Sequence, residues 1–223
     1  MCAAIECHAT LTHESSATIE KYIGTILRFV FAQLQSNSGE TLRLRFVRFF
    51  HLVSALTETG YGADYFFQES EKVQQGLFQQ IYPAFILSET PKLARPVDRK
   101  LAVVSFTKTL CDSRVFAEKF QKGWANTCRI LMELLINPPT VARGVGDEVI
   151  AEADVDDIGF GLTFTALNTC KSVAHDHFEM PDVTVWVRQY MTKADQRQNG
   201  AIAGFIMNRM PPEQRDAMVK YLQ

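Results

Sequence analysis

The sequence predicts an all-α fold in which roughly four helix pairs stack into an α-solenoid, an α-α superhelix. Apolar residues recur at steps of three and four along nearly the whole chain, and the strict alternation of half-buried strands is almost absent. Candidate helix pairs repeat at about 35–45 residues, a period typical of such stacks. Hydrophobic residues make up 47% of the 223 residues and charged residues 22%, which allows a sizeable core.

The first part of the chain contains three predicted helices. Residues 18–35 place apolar side chains on one face, and the Ser-Asn-Ser-Gly run at 36–39 ends this helix. Residues 41–57 are apolar around most of the helix circumference, which predicts burial on more than one side. Gly60-Tyr61-Gly62 then forms a turn before a short helix at residues 63–73.

The most informative stretch of the sequence lies between residues 76 and 110. An apolar helix is predicted over residues 76–87 with Pro83 in its middle, and a loop that contains Pro91 and Pro96 follows. The next helix, at residues 97–110, opens with Asp-Arg-Lys. A proline-bent first helix followed by a second helix with this opening is the pattern of one HEAT repeat. This pattern indicates a stacked solenoid that grips another macromolecule rather than an enzyme.

The rest of the chain divides into a further helix, an acidic loop and a set of carboxyl-terminal helices. Pro138-Pro139 ends the helix predicted over residues 116–136, and residues 147–157 carry acids without a compensating Lys or Arg. Later helices are predicted at residues 160–170, 183–193, 201–207 and 212–222. We therefore divide one solenoid fragment, residues 1–223, into regular helix pairs (1–140), an acidic loop (141–158) and carboxyl-terminal helices with a cap (159–223).

Composition narrows the classes of function. A formal net charge of −2 and a pI of about 6.2 argue against bulk binding to nucleic acid or to an anionic membrane. No run of about 18 apolar residues and no signal peptide is evident, so no membrane insertion is expected. Five cysteines without framework spacing predict buried thiols in a reducing compartment. Residues 1–14 look like half of a helix pair, so we expect the chain to be the end of a longer solenoid.

The order of these motifs resembles that of a known family. The motifs are residues 19–35, residues 97–110, the acidic run that ends in Asp-Asp-Ile-Gly-Phe at 156–160, and the end at 204–223. Together they resemble the carboxyl-terminal region of the exportins that recycle importin-α, the cellular apoptosis susceptibility exportins of the importin-β (karyopherin-β) superfamily. The step from the acidic run to Gly159-Phe160 is the most specific of the four.

This resemblance implies a nuclear transport receptor. Such exportins bind importin-α together with GTP-bound Ran in the nucleus and release both in the cytoplasm, so the implied location is nucleus and cytoplasm, with shuttling through the nuclear pore. The main Ran-binding repeats of the family lie in its amino-terminal part. The resemblance therefore implies a partial receptor that binds protein, uses no cofactor and catalyses nothing. The alternatives are a generic HEAT-repeat scaffold unrelated to nuclear transport and a helical enzyme.

Charged residues at two helices and in the acidic loop are the candidate partner contacts. The second helices of such repeats line the concave face, where Asp98, Arg99 and Lys100 would meet importin-α or Ran. The alternative for Asp98 is an Asp–Arg ladder between repeats and a favourable interaction with the helix macrodipole. The same ladder is the alternative for Arg99 and Lys100, and a solvated surface is the alternative for the arginines of residues 41–57 and for the acidic loop. The candidates are Arg45, Arg48, Asp98, Arg99, Lys100, Asp154, Asp156 and Asp157.

No catalytic or metal site is predicted. The sequence has no phosphate-binding Gly-Lys-Ser/Thr loop, no nucleophile elbow and no His-Glu-x-x-His helix. The segment from Asp154 begins like a calcium loop, but Thr165 stands where a bidentate Glu is needed.

Overall fold

The computed structural model describes residues 16–37, 39–57, 60–137, 180 and 182–219, and these ranges contain helices and no strand. The prediction of an all-α fold is therefore confirmed. The α-helices are α1 (Ser16–Asn37), α2 (Glu40–Ala55), α3 (Ala63–Val73), α4 (Leu77–Ile81), α5 (Pro96–Asp112), α6 (Gln121–Ile136), α7 (Val183–Arg197), α8 (Ala201–Arg209) and α9 (Pro212–Val219). Two π-helical segments, Tyr82–Leu87 and Val115–Lys119, and one 3₁₀ turn, Thr90–Lys92, complete the described elements.

The helices lie in two layers. Helices α2, α5 and α7 pack side by side in that order, and the α2–α5 contact is the most extensive in the described structure. The second layer runs from α1 through α3, α4 with its π-helical continuation, and α6 to α8. Successive helix pairs therefore stack as in a HEAT-type solenoid, the architecture that the sequence predicts.

Helix α5 is the central element because it is buried on nearly all sides. Its polar side chains tolerate this burial by bonding within their own helix. Thr107 and Thr109 donate their hydroxyls at 2.8 Å to the carbonyls of Val103 and Ser105, respectively. These bonds satisfy the hydroxyls, so α5 can pack against both of its neighbours in the layer.

Aromatic side chains join the two layers. Phe50 of α2 lies 5.1 Å from Phe66 of α3 and 5.7 Å from Tyr82, measured between ring centroids. Tyr82 in turn lies 5.0 Å from Phe116, and all four rings are fully or almost fully buried. Edge-to-face packing of this kind stabilises each pair by about 0.5–1.5 kcal/mol beyond the burial of apolar area.

Two predicted helices are interrupted in the structure. The helix predicted over 76–87 is α-helical only to Ile81 and continues as a π-helix from Tyr82 to Leu87. Pro83 has no N–H and cannot donate to the carbonyl four residues earlier, so the α-helical bonding pattern ends there. The helix predicted over 116–136 is divided at Phe120, whose φ of −112° and ψ of 55° are not helical.

The carboxylate of Asp64 holds the connection between α5 and α6. The carboxylate of Asp64 on α3 accepts the backbone N–H of Arg114 at 3.0 Å and that of Val115 at 3.4 Å. The hydroxyl of Ser113 also donates to this carboxylate. One side chain thus fixes the turn that reverses the chain between two helices.

Two of the predicted elements cannot be compared with the structure, because it does not describe their residues. The predicted helix at residues 160–170 and the predicted acidic loop at 141–158 both lie outside the described residues. Among the helices that are described, none combines the length and the apolar character that crossing a membrane requires.

Candidate partner-binding face

Two of the charged residues predicted on α2 and α5, Arg48 and Asp98, come together where the middle of α2 meets the start of α5. Arg48 of α2 donates its Nε to Oδ1 of Asp98 on α5 at 3.1 Å, and Arg95 lies 3.6 Å from Oδ2 of the same carboxylate. Because α2 and α5 belong to successive helix pairs, the Arg48–Asp98 pair joins neighbouring repeats. The Asp–Arg ladder considered from the sequence is thus present.

Asp98 occupies a position that favours a carboxylate. Only 8% of its side chain is exposed, but two guanidinium groups compensate the charge. It also lies in the first turn of α5, where the helix macrodipole favours a negative charge. Asp98 therefore orients the cations around it and presents little surface of its own to a partner.

Arg99 fastens the chain on both sides of α5. Its Nη1 donates to the carbonyls of Pro91 and Leu93 at 3.3 and 3.4 Å, and its Nη2 donates to the carbonyl of Asn137 at 2.7 Å. These bonds hold the turn before α5 and the end of α6 against one guanidinium group. Arg99 thus stabilises the geometry of the face on which the candidate contacts lie.

Lys100 makes an equivalent contact with the carboxyl-terminal part of the chain. Its Nζ donates to the carbonyl of Met180 at 3.2 Å, just before α7. The successive residues Arg99 and Lys100 therefore bond two backbone carbonyls, that of Asn137 just after α6 and that of Met180 just before α7. The start of α5 is thus bonded to positions on both the α6 and the α7 sides of the fold.

The remaining predicted site residues divide between described and undescribed parts of the chain. Arg45 is half-buried on α2, one turn before Arg48. The predicted acidic contacts Asp154, Asp156 and Asp157 lie outside the described residues.

The structure adds two cations, Lys92 and Arg95, and one carboxylate, Glu89, that sequence reasoning did not single out. Glu89 is buried, with 4% of its side chain exposed, and it lies 3.5 Å from Nη1 of Arg43 and 2.8 Å from Nζ of Lys92. The spacing of Glu89 and Lys92, three residues apart on a helical turn, is a signal that the sequence does contain. The pairing of Glu89 with Arg43 spans 46 positions and has no local signal. We call the following residues the basic face: Arg43, Arg45, Arg48, Lys92, Arg95, Arg99 and Lys100.

A buried histidine, His51, forms hydrogen bonds beneath the basic face. Nδ1 of His51 lies 3.0 Å from the Ser105 hydroxyl, and Nε2 lies 2.8 Å from the Thr90 hydroxyl. Burial lowers the pKa of His51 to about 3, so the ring is neutral at physiological pH. His51 therefore links α2, α5 and the turn before α5 as a hydrogen-bonding core residue.

The opposite end of α5 has its own polar cluster. The hydroxyl of Tyr190 on α7 donates to Asp112 at 2.5 Å, and Nη2 of Arg197 lies 3.4 Å from the other oxygen of that carboxylate. Burial raises the pKa of Tyr190, and its hydrogen bond to Asp112 raises the pKa further. Beside it is an open depression of about 470 Å³, lined by Tyr190, Lys193, Gln196 and Arg197. This cluster fastens α7 to α5.

The described thiols are held in an unreactive state. Cys111 and Cys128 are buried, as the sequence predicts for thiols in this chain. Burial raises the pKa of Cys128 to about 12 and that of Cys111 well above its usual value. Within the described ranges, no three His, Cys, Asp or Glu side chains are grouped so that they would hold a metal ion.

Comparison with known proteins gives a consistent result. The family model described as CAS/CSE protein, C-terminus, matches residues 7–221. The importin alpha re-exporter of Saccharomyces cerevisiae is 25% identical over 195 residues, which are 87% of this chain and 20% of that protein. The importin-alpha re-exporter of Schizosaccharomyces pombe is 26% identical over 207 residues, which are 90% of this chain and 21% of that protein.

A solved structure is similar in fold. The exportin Cse1 in its cargo-free, cytoplasmic state matches with a TM-score of 0.69 at 21% sequence identity, over 92% of this chain and 20% of that chain. At this identity the likeness establishes the fold. The chain spans about a fifth of the length of the relatives that it matches.

Proposed function

The chain belongs to the CAS/CSE protein C-terminal family, and we propose on that premise that it forms the carboxyl-terminal part of a nuclear export receptor. This receptor returns importin-α to the cytoplasm together with GTP-bound Ran. The chain's role is to bind protein and not to catalyse a reaction. In this function it shuttles between nucleus and cytoplasm.

The observation that carries the proposal is the family match over residues 7–221. It is supported by the names of the two yeast relatives, each an importin alpha re-exporter and each matching at least 87% of this chain. A generic HEAT scaffold would share the stacked helix pairs but would not account for a family match along nearly the whole chain. The exportin reading is therefore favoured over the scaffold reading.

The basic face is the part of the described structure that we assign to partner contact. Its cations come from α2, from the turn before α5 and from the start of α5. A partner on this face would therefore touch two successive helix pairs at once. Arg45 and Arg48 are half-buried and present part of their surface. Arg99 and Lys100 hold the segments that border the face. Many weak contacts of this kind add up when one partner makes them together.

The acidic residues Asp154, Asp156 and Asp157 form the second part of the proposal. A run of carboxylates accelerates the encounter with a basic surface on importin-α or Ran, and salt screens this attraction. We assign the principal Ran contacts to the amino-terminal part of the receptor, in keeping with the family resemblance. Ran should therefore strengthen the binding of importin-α to this chain only weakly.

A calorimetric titration of the chain with importin-α tests the proposal. It is run without Ran, with GTP-loaded Ran and with GDP-loaded Ran as the matched control, each at low and at physiological salt. We expect binding to importin-α that weakens as salt rises and that GDP-loaded Ran does not change. If a chain with native circular dichroism binds importin-α in none of these mixtures, the proposed function of this chain is wrong.

A further inference from the structure

Two buried carboxylates organise four cations of the basic face into a fixed array. Glu89 lies 3.5 Å from Arg43 of α2 and 2.8 Å from Lys92 of the 3₁₀ turn. Asp98 lies 3.1 Å from Arg48 of α2 and 3.6 Å from Arg95, at the start of α5. Each carboxylate thus joins cations from different elements. The cations are held in place before any partner arrives, which lowers the entropy lost when one binds.

Positive charge exceeds negative charge on this part of the surface. The chain as a whole has a formal net charge of −2. Among the described residues of the first half of α2, of the turn before α5 and of the start of α5, seven Lys or Arg residues stand against three carboxylates, Glu40, Glu89 and Asp98. The two buried carboxylates therefore neutralise only part of the charge, and the face attracts an anion.

Three of the cations remain accessible while they are held. The exposed fractions of the side chains are 51% for Lys92, 37% for Arg95 and 34% for Arg43. A guanidinium group has five N–H donors in a planar fork, so an Arg that contacts one carboxylate can donate to a second one. The accessible edges of Arg43 and Arg95 thus suit further carboxylates.

A protein segment fits this face better than a nucleic acid does. The cations form a local patch on a chain whose pI is about 6.2. A long polyanion would extend beyond the patch and meet the net negative remainder of the surface. A short acidic segment would meet only the patch, and its carboxylates would pair with guanidinium groups.

We propose that the basic face docks an acidic segment of the protein partner, with Arg43, Lys92 and Arg95 as its accessible contacts. This inference deepens the proposed function, on which it rests for the source of the segment. Glu89 and Asp98 act as positioning residues beneath the contacts.

The test must account for acids within the chain itself. Residues 147–157 contain six Asp or Glu residues and no Lys or Arg. A segment in the same chain competes at a high effective concentration with any peptide that is added. The experiment therefore uses two backgrounds, the natural chain and a variant in which these six acids are changed to Asn or Gln.

The probe is a fluorescein-labelled Glu-Ser repeat peptide, and its anisotropy is followed with increasing chain and with increasing NaCl. We expect binding in at least the acid-neutralised background, and weaker binding as salt rises. The double change Lys92→Gln with Arg95→Gln should weaken it roughly three- to tenfold at low salt, since exposed ion pairs contribute up to about 1 kcal/mol each. The control pair Lys122→Gln with Lys193→Gln removes the same charge from two exposed lysines elsewhere and should leave the affinity unchanged.

Three results would overturn the inference. They are no binding of the peptide in either background, equal weakening by both pairs of changes, and tighter binding of a single-stranded DNA of equal charge. The proposed function fails separately. If the peptide binds the face but importin-α does not bind the chain, only the function is wrong. If importin-α binds the chain and ignores the change at Lys92 and Arg95, only the inference about the face is wrong.

Discussion

Arg48 and Asp98 connect the two helices that make the most extensive contact in the described structure, with 3.1 Å between Nε and Oδ1. The side chain of Asp98 is 8% exposed and that of Arg48 is 24% exposed, so solvent screens this pair less than it screens a surface pair. Breaking such a pair leaves one charge without its partner in a partly desolvated position, which costs more than the pair itself contributes.

Replacement of Asp98 should therefore destabilise the fold. Asp98→Asn keeps the size of the side chain but removes the charge that Arg48 and Arg95 face. We expect the free energy of unfolding to fall by about 2 kcal/mol, because Arg48 and Arg95 would lose the buried carboxylate that both of them face. Urea unfolding followed by circular dichroism measures this change.

The matched control for Asp98 is an exposed ion pair. Arg129 and Glu133 lie 3.9 Å apart on α6, and about half of each side chain is exposed. Arg129→Gln should lower the free energy of unfolding by no more than about 0.5 kcal/mol. Equal losses of unfolding free energy for the two changes would show that the Arg48–Asp98 pair stabilises the fold no more than an exposed ion pair does.

His51 should make stability depend on pH. Its pKa is lowered from 6.5 to about 3 in the folded chain, while the unfolded chain keeps the ordinary value. Its contribution to stability is complete above pH 6.5 and is lost as pH falls from 6.5 toward 3, because only the unfolded state gains a proton there. The slope from this residue approaches about 1.4 kcal/mol per pH unit.

Comparison with His51→Gln isolates this contribution. Gln can still bond the hydroxyls of Ser105 and Thr90 but does not titrate in this range. The difference in unfolding free energy between the two proteins should shrink, or reverse in favour of the variant, as the pH is lowered from 7 to about 4.5. A difference that stays constant over this range would mean that His51 is not held neutral in the fold.

Local patterns in the sequence predict the helices well and the polar connections poorly. The helix at Ala63–Val73 has the predicted bounds, and α1, α2 and α5 lie within two residues of theirs, since apolar spacing and turn residues act locally. The interruption at Phe120 has no signal of this kind in the sequence. His51 meets Thr90 and Ser105 across 39 and 54 positions, and one sequence contains nothing that pairs such distant residues.

The candidate site shows the same limit. Asp98, Arg99 and Lys100 were identified because they open a helix, and they do lie at the start of α5. Their contacts with Arg48, Asn137 and Met180 depend on the stacking of distant segments. Glu89 was missed for the same reason, because its burial beneath Arg43 appears only when α2 packs beside the turn.

A glycine change tests the packing at Phe120. A Cβ atom on Gly123 would lie 2.0 Å from the ring of Phe120, which is half-buried and would have to shift against Phe78, Tyr82 and Phe116. We expect Gly123→Ala to lower the free energy of unfolding by about 1–3 kcal/mol, measured by urea unfolding.

Gly204 provides the matched control in α8. A Cβ atom there would meet nothing within 4 Å, so Gly204→Ala should be neutral or stabilise the fold by up to about 1 kcal/mol through helix propensity. If both changes are neutral, Phe120 does not occupy the space beside Gly123.

The buried thiols make a prediction for chemical labelling. Burial raises the pKa of Cys111 and Cys128, so neither side chain forms the reactive thiolate near neutral pH. Iodoacetamide followed by peptide mass spectrometry should modify both residues in urea and neither in the native chain. Labelling of either residue in the native chain at the rate of a free thiol would contradict the burial.

Removing one partner of the hydrogen bond between Tyr82 and Thr127 should cost less stability than removing the other. The oxygens lie 2.5 Å apart in the core, and the Thr127 hydroxyl also donates to the carbonyl of Gly123 at 2.7 Å. The Tyr82 hydroxyl must therefore be the donor between them. Tyr82→Phe removes this donor and leaves the Thr127 hydrogen satisfied, so the loss in unfolding free energy should be about 1 kcal/mol.

Thr127→Val should cost more, about 1–3 kcal/mol, because it leaves the O–H of Tyr82 buried without an acceptor. Adding Tyr82→Phe to Thr127→Val removes this stranded donor, so the double variant should be no less stable than Thr127→Val alone. Urea unfolding of the four proteins gives the coupling energy directly. Losses that simply add would mean that the two hydroxyls do not depend on each other.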